Sequence, residues 1–473
     1  MRRHVLYFTW IACALLTSAT NAEAVSPEAT ERPNIVLILG DDHGWPYYGF
    51  MGSSIVETPN LDTLAKSGTL FPYTYNTASV CRPALRSILT GLYPQQYEIR
   101  ATKIASRNRS TSGTRGEPMT EFATLPRVLA AAGYATFQAG KLWDGTYADS
   151  GFTGGMTATL QEASTHYTGN LAGKQLGRKT LDPVFEFLRA PREGPFFLWF
   201  APQLPHAPHN APAKFSDRYG EKDLVDGARR YYANCTWEDA VVGQLLDFLD
   251  SEDLRENTLI VYLSDNGWEQ PPSRAVVTHL GGRHGKTSMH ELGFRTPLIF
   301  SWPGHLPGDR RVDDLVSTVD LFPTLVDFAG AKAPSNLPGI DLGPIVRGRT
   351  DESPRERMIG GQFVTGDARL PAPFKKYSGD AYYLREGDWY YILWGGNLNR
   401  QKLFDKKADP EELTDVSLLH PERARAYRER VLDWLDETGI GRKRLGWTPG
   451  WILRRRAPPK PSPASAPTTN EAM

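Results

Sequence analysis

Pro33-Asn34-Ile35-Val36-Leu37-Ile38-Leu39-Gly40-Asp41-Asp42 decides the class of fold: an uninterrupted apolar run of strand length that stops on a glycine and two carboxylates. A strand with one wet face alternates apolar and polar residues. The absence of alternation here predicts a strand covered on both faces, as in a parallel sheet flanked by helices. Similar strands are predicted at Ala135–Ala139, Phe196–Phe200, Leu259–Leu263 and Pro297–Phe300. Helical patterns separate them. One starts with Thr58 as cap and Pro59 at the first helical position and runs to Gly68; another follows Cys81 and stops at Gly91. Further helices are predicted over Leu125–Ala132, Pro183–Leu188, Leu321–Phe328 and Arg229–Leu249, the last burying Tyr232, Ala240, Leu245, Leu246 and Leu249. Helix alternating with apolar strand gives an α/β fold with a doubly wound, mostly parallel sheet.

Beyond about Thr350 the pattern changes. Tyr382-Tyr383-Leu384, the turn Glu386-Gly387-Asp388 and Trp389–Leu393 read as a hairpin, and Pro421–Leu435 as a helix. These predict a small C-terminal α+β subdomain over residues 351–456, behind a main domain over 25–350, with a disordered tail at 457–473 rich in Pro, Ala, Ser and Thr. The polar stretch Arg100–Glu117, with Arg107, Arg109 and Arg115, reads as a surface loop. At the other end, residues 1–24 have the parts of an export signal: Arg2 and Arg3, an apolar run from Val5 to Leu16, and Ala22-Glu23-Ala24 before the cleavage point. That run is too short for the ~20 residues that span a bilayer, so the mature chain is expected to be exported with no membrane span.

The 473 residues carry 54 basic and 54 acidic side chains, a balance that argues against nucleic-acid binding through a basic surface. With 12 Trp, 20 Tyr and 20 Phe the chain is too aromatic to be disordered. Cleavage after Ala24 removes Cys13 and leaves Cys81 and Cys235, too few for a disulfide scaffold; Cys235, mid-helix, reads as a packed small residue. Asn108-Arg109-Ser110 and Asn234-Cys235-Thr236 match glycosylation acceptors.

In an open doubly wound sheet, ligands bind beyond the carboxyl ends of the strands. Asp41 and Asp42, Lys141, His206, and Asp265 with Asn266 all fall at such ends. Three aspartates and an asparagine are hard oxygen donors suited to calcium or magnesium. Taken singly, Asp-Asp and Ser-Asp-Asn-Gly are more often turn and capping residues; their joint placement favours a site.

Pro33–Gly44, Val80–Gly91, Gly140-Lys141, Leu204–Pro208, Tyr262–Gly267 and Lys286–Pro297 together resemble the sulfatase family, in the family's order, and Leu403–Glu412 resembles the strand and turn that closes its C-terminal subdomain. The resemblance implies the alkaline-phosphatase-like fold. It also implies that Cys81, in Cys-x-Pro followed by Leu89-Thr90-Gly91, is oxidised to formylglycine by a formylglycine-generating enzyme. The aldehyde hydrate then offers one hydroxyl to attack sulfur and a second to expel sulfate. By the same resemblance Asp41, Asp42, Asp265 and Asn266, together with the modified Cys81, bind Ca2+ or Mg2+. Lys141, His206 and Lys286 face the sulfate and the leaving oxygen.

Two positions depart from the family pattern. Leu85 stands where the family has arginine, with arginines at Arg82 and Arg86 instead; Arg86 either reaches the site from there or points to solvent. After Lys141 the family's Trp-His is replaced by Leu142-Trp143, so another base is needed, with His43, His279, His284 and His290 as candidates, while His209 reads as structural or rim-forming. The expected activity is that of a sulfuric ester hydrolase acting on a sulfated carbohydrate or an aryl sulfate, with no oligomeric state implied. The alternatives are a phosphodiesterase or phosphonate monoester hydrolase of the same fold, and a catalytically inactive sulfoglycan-binding homologue.

Overall fold

The computed structural model describes residues 32–97, 119–158, 171–268, 284–352, 355–364, 379–395 and 400–441. The export signal at 1–24, the Arg100–Glu117 loop, Asn108, His279 and the 457–473 tail lie outside the described residues.

The quoted run forms β1 (Asn34–Gly40), in the middle of a nine-stranded sheet among the described residues. Its path also includes β2 (Thr69–Tyr75), β3 (Ala135–Gly140), β4 (Gly154–Gly155), β5 (Phe196–Ala201), β6 (Thr258–Ser264), β7 (Arg295–Ser301) and β8 (Arg310–Arg311), in the order β4-β3-β5-β1-β6-β7-β2-β8, and β9 (Val316–Ser317) pairs with β2. The β4-β3-β5-β1-β6 half is parallel, whereas β7 runs antiparallel to both β6 and β2.

The two-sided burial predicted for β1 is present. Ile35, Leu37 and Leu39 pack with Ile88 and Leu89 of the Cys81–Thr90 helix and with Leu321, Phe322 and Leu325. Val36 and Ile38 point the other way, onto Leu61 and Leu64 and onto Val241, Val242 and Leu245 of the long Asp226–Ser251 helix. Each such fully buried aliphatic side chain contributes roughly 1.5–3 kcal/mol, and this pins the strand register. Within the long helix Tyr232, Leu245 and Leu249 are buried as expected, while Ala240 and Leu246 are only partly covered. Thr58 stands at its N-cap position without capping: its hydroxyl donates to Asp62 Oδ1 at 2.9 Å, and the helix ends at Lys66.

The C-terminal sheet is antiparallel: β10 (Arg357–Val364), β11 (Gly379–Glu386), β12 (Trp389–Trp394) and β13 (Gln401–Asp405) in sequence order. Its two faces are divided by strand alternation. Tyr382, Leu384, Tyr391 and Leu393 meet the Pro421–Glu437 helix, and Ala381, Tyr383, Tyr390 and Ile392 meet Tyr75, Met289 and Phe294 of the main domain. No described helix is long and apolar enough to cross a membrane.

Candidate active site

Because the central strands are parallel, their carboxyl ends share one edge, and the backbone locks them together there. Asp265 N donates to Gly40 O at 3.0 Å and Lys141 N to Ala201 O at 2.7 Å. Gly140 permits the second contact, since a Cβ at its φ of 86° would lie 2.2 Å from Ala201 O. At this edge Asp41, Asp42, Lys141, Asp265 and Asn266 are each 2% exposed or less. Lys141 Nζ lies 2.6 Å from Asp41 Oδ2 and 3.7 Å from Asp265 Oδ2. Lys286 Nζ donates to both oxygens of Asp42, at 2.7 and 2.8 Å, and Asn266 Nδ2 donates to Asp42 Oδ1 at 2.6 Å.

Cys81 opens its helix at the same edge, 8% exposed and preceded by Val80, which offers no side-chain cap. Ligand atoms of Asp41, Cys81 and Asp265 lie within 4.8 Å of one another, as do those of Asp41, Asp42 and His206. His206 Nδ1 is 2.8 Å from Ala207 O, so that nitrogen carries its proton, and Nε2 faces Asp42 Oδ2 at 3.6 Å. All eight residues singled out from the sequence therefore converge.

The electrostatics follow from burial. Burial opposes charge on Asp42, but the Lys286 ammonium, helped by His206 and Lys141, holds its carboxyl well below the usual range. For Asp265, burial and the Asp41 carboxylate dominate and push its carboxyl well above that range. Burial also raises the Cys81 thiol, against the pull of Lys141 and Lys286. Asp41 Oδ1, Asp265 Oδ2 and Asn266 Oδ1 are buried and accept no hydrogen bond among the described residues. Clustered buried oxygens without donors suit a hard divalent cation, and carboxylate and amide oxygens are the donors that Ca2+ and Mg2+ prefer.

Among the described residues Arg86 pairs with none of Asp41, Asp42 and Asp265, and it does not point to solvent. Its side chain is 7% exposed and binds Asp144, 4% exposed, with Nε donating at 3.0 Å; the half-exposed Arg82 adds a 3.7 Å contact. Burial resists charge on Asp144, but Arg86 and then Arg82 hold its carboxyl below the ordinary value. We expect Asp144→Ala to cost about 3 kcal/mol in urea unfolding, the lower end for breaking a buried ion pair. The folded pKa is the lower one, so the pair's contribution is whole above the ordinary value of 3.8 and fades as pH falls toward the folded value.

The candidate bases among the described residues are accounted for by packing. His43 is fully buried, bonded through Nδ1 to Glu238 Oε2 and through Nε2 to Tyr47 O, both at 2.7 Å. His284 and His290 stack on each other and bond the C-terminal subdomain through Glu411 and Glu412. Burial lowers His209 to about 4, and its ring lies edge-on to Tyr231, a structural placement. Trp143 lies 5.5 Å from Lys141 Nζ, with its buried Nε1 unpaired. Asn234 is fully buried and donates to Pro205 O and Pro208 O, which excludes it as a glycan acceptor in the folded chain; Cys235 beside it is packed as expected.

Three supporting residues carried no motif. Arg178 donates to Gln203 O and His206 O, fixing the loop that bears His206. Tyr231 OH donates to Asp42 O at 2.8 Å and accepts from Gly44 N, while Glu238 anchors His43, so the long helix holds the Asp41-Asp42 turn, where Asp42 has a φ of 70°. Helix periodicity marks such positions only as inward-facing.

Comparison with known proteins adds an independent line. The family model Sulfatase matches residues 33–331, and the model described as N-sulphoglucosamine sulphohydrolase, C-terminal, matches residues 281–426. The chain is 30% identical to N-acetylgalactosamine-6-sulfatase of Rattus norvegicus over 67% of this chain and 66% of that protein. It is 31% identical to arylsulfatase A of Homo sapiens over 69% and 70%. The matches thus span about two thirds of these relatives' own length. Among solved structures, Ps i-CgsB superposes with a TM-score of 0.69 at 25% identity, covering 91% of this chain and 98% of that one. A phosphonate monoester hydrolase of Agrobacterium radiobacter reaches 0.63 at 17% identity over 86% and 96%, a likeness of fold alone.

Proposed function

The chain belongs to the sulfatase family, and from that premise we propose that it is an exported hydrolase of sulfate monoesters on a sulfated carbohydrate. The observation that carries the reading is the convergence of three buried aspartates, Asn266, Lys141 and Lys286 on the N-terminus of the helix that opens with Cys81. Asp41, Asp42, Asp265 and Asn266 would hold a divalent cation, for which Ca2+ is the first choice and Mg2+ the second; bound, it supplies charge that polarises a sulfate oxygen. Cys81, once converted to formylglycine and hydrated, would supply the nucleophilic hydroxyl.

The remaining work falls to this chain's own groups. Lys141 and Lys286 bring two ammonium groups to a sulfate monoanion, and the first N–H groups of the Cys81–Thr90 helix, without a side-chain cap, add oriented dipoles. His206, with its proton on Nδ1, presents Nε2 toward the site and in its protonated form donates to the leaving alcohol. Trp143 has only an N–H to offer, so it takes no proton. The relatives named for N-acetylgalactosamine-6-sulfate support a sugar substrate, and the signal at 1–24 supports export.

A side-by-side assay of the purified protein on an aryl sulfate and an aryl phosphodiester tests the reaction class. Turnover of the sulfate ester in excess is expected. A preference for the phosphodiester moves the chain to the phosphonate hydrolase reading, and failure on both by formylglycine-bearing protein moves it to the glycan-binding one.

A further inference from the structure

Lys286 reaches Asp42 from a segment without regular structure, residues 284–290, so its position is set by tertiary bonds and not by a strand ladder. On the inner side, Lys286 N donates to Trp268 O at 3.0 Å, and Thr287 N, with Thr287 at a φ of 70°, donates to Ser79 O at 2.8 Å, two residues before Cys81. Gly267 lets the segment close on the end of β6, because a Cβ there would lie 1.9 Å from Leu292 O. These contacts join the lysine to both the metal-side carboxylates and the nucleophile turn.

On the outer side, the same segment is gripped by the turn Asp409-Pro410-Glu411-Glu412 of the C-terminal subdomain. His284 Nδ1 donates to Glu411 O at 3.0 Å, and its ring stacks on His290 at 3.6 Å. His290 Nδ1 lies 2.7 Å from Glu412 Oε2, and Glu291 N donates to both Glu412 oxygens at 3.2 Å. Glu412 is 3% exposed, has a φ of 58° and takes a 2.7 Å bond from Lys406, which also lies 3.0 Å from the buried Glu291. Arg385 of β11 completes the cluster at 3.2 Å from Glu291. A buried carboxylate that receives this many bonds in a strained backbone conformation holds its neighbours in one arrangement.

We infer that Glu412 is a positioning residue for Lys286: the C-terminal subdomain acts on the sulfate site by clamping the segment that carries this lysine. The inference rests on the reading of Lys286 as a sulfate contact. A shift of about 1 Å in a reacting or charge-stabilising group costs on the order of 10²-fold in rate, so loosening the clamp is expected to be felt chiefly through Lys286.

The test is a double-mutant cycle with Glu412→Gln and Lys286→Ala, read in turnover of an aryl sulfate and in the affinity for inorganic sulfate. Glu412→Gln is expected to lower kcat by roughly 10- to 100-fold in the wild-type background and to change little, within about twofold, once Lys286 is already alanine. The same loss in both backgrounds would show a general structural effect and overturn the inference while leaving the sulfatase reading intact. A Lys286→Ala variant that matches wild type in both readouts would instead sink the assignment of Lys286 and the inference with it. If Glu412→Gln does not fold, His284→Ala, which removes the Glu411 bond and the stacked ring, runs the same cycle with the same criteria. Glu412→Asp, which keeps the charge, should recover part of the loss.

Discussion

Cys81→Ala is expected to leave a folded protein with no measurable sulfate ester hydrolysis. Removing one small side chain that is already nearly buried costs about 1 kcal/mol, the transfer term for a single methylene-sized group. The surrounding core of Ile88, Leu89 and the β1 side chains is untouched. The catalytic loss belongs to a different scale: removing a nucleophile whose partners act as a unit lowers kcat by on the order of 10⁴- to 10⁶-fold. Far-UV circular dichroism and thermal unfolding alongside kcat/KM separate the two effects. The companion measurement is mass spectrometry of the wild-type tryptic peptide Ser67–Arg86, which stays whole because Pro83 blocks cleavage after Arg82. It should contain formylglycine at position 81, showing that Leu85 does not prevent maturation. A fully active Cys81→Ala variant, or a wild-type peptide holding only thiol in active protein, would defeat the mechanism. Thiol in inactive protein that still holds sulfated glycan would favour the binding homologue.

Removing the divalent cation is expected to do nearly as much. Asp41, Asp42 and Asp265 are buried together, and Asp41 Oδ1, Asp265 Oδ2 and Asn266 Oδ1 accept no hydrogen bond among the described residues. Buried polar oxygens without partners are costly, so a cation bound there is expected to stabilise the fold as well as serve the reaction. Added Ca2+ at about 100 times its Kd should stabilise the chelator-treated protein by roughly 2.7 kcal/mol, read as a rise in Tm, and restore activity in parallel. Asp265→Ala should lose both responses. Calorimetric titration of Ca2+ and Mg2+ ranks the two ions at this all-oxygen site. A Tm and a rate both indifferent to chelator and Ca2+ would remove the cation from the reading.

Much of the fold was legible because its strands are buried on both faces. Such strands announce themselves as apolar runs, and β1, β3, β5 and β6 lie where those runs stand. Besides the two-residue strands β4, β8 and β9, two longer strands were not legible. β2 carries Pro72 in its middle and pairs with β7 through an irregular register between Phe71 and Thr74, so its sequence lacks a continuous run. β10 holds Gly360 and Gly361, which weaken any strand signal, and it is stabilised by its pairing with β11. The short, polar features of the site were legible only as a set, since each dipeptide alone is ordinary turn chemistry.

The amino-acid sequence by itself determined the parallel core and, through it, the shared edge of the site. Chain direction forces parallel strands to end on one side, so residues that follow β1, β3, β5 and β6 must gather there whatever the loops do. Tertiary structure alone decided which charge meets which. Arg86 meets Asp144 across 58 residues, Lys286 meets Asp42 across 244, and His43 turns away to Glu238 across 195. Those pairings have no period to read. They are set by how irregular segments pack on one another, where burial makes each polar group take whichever partner the packing brings within reach.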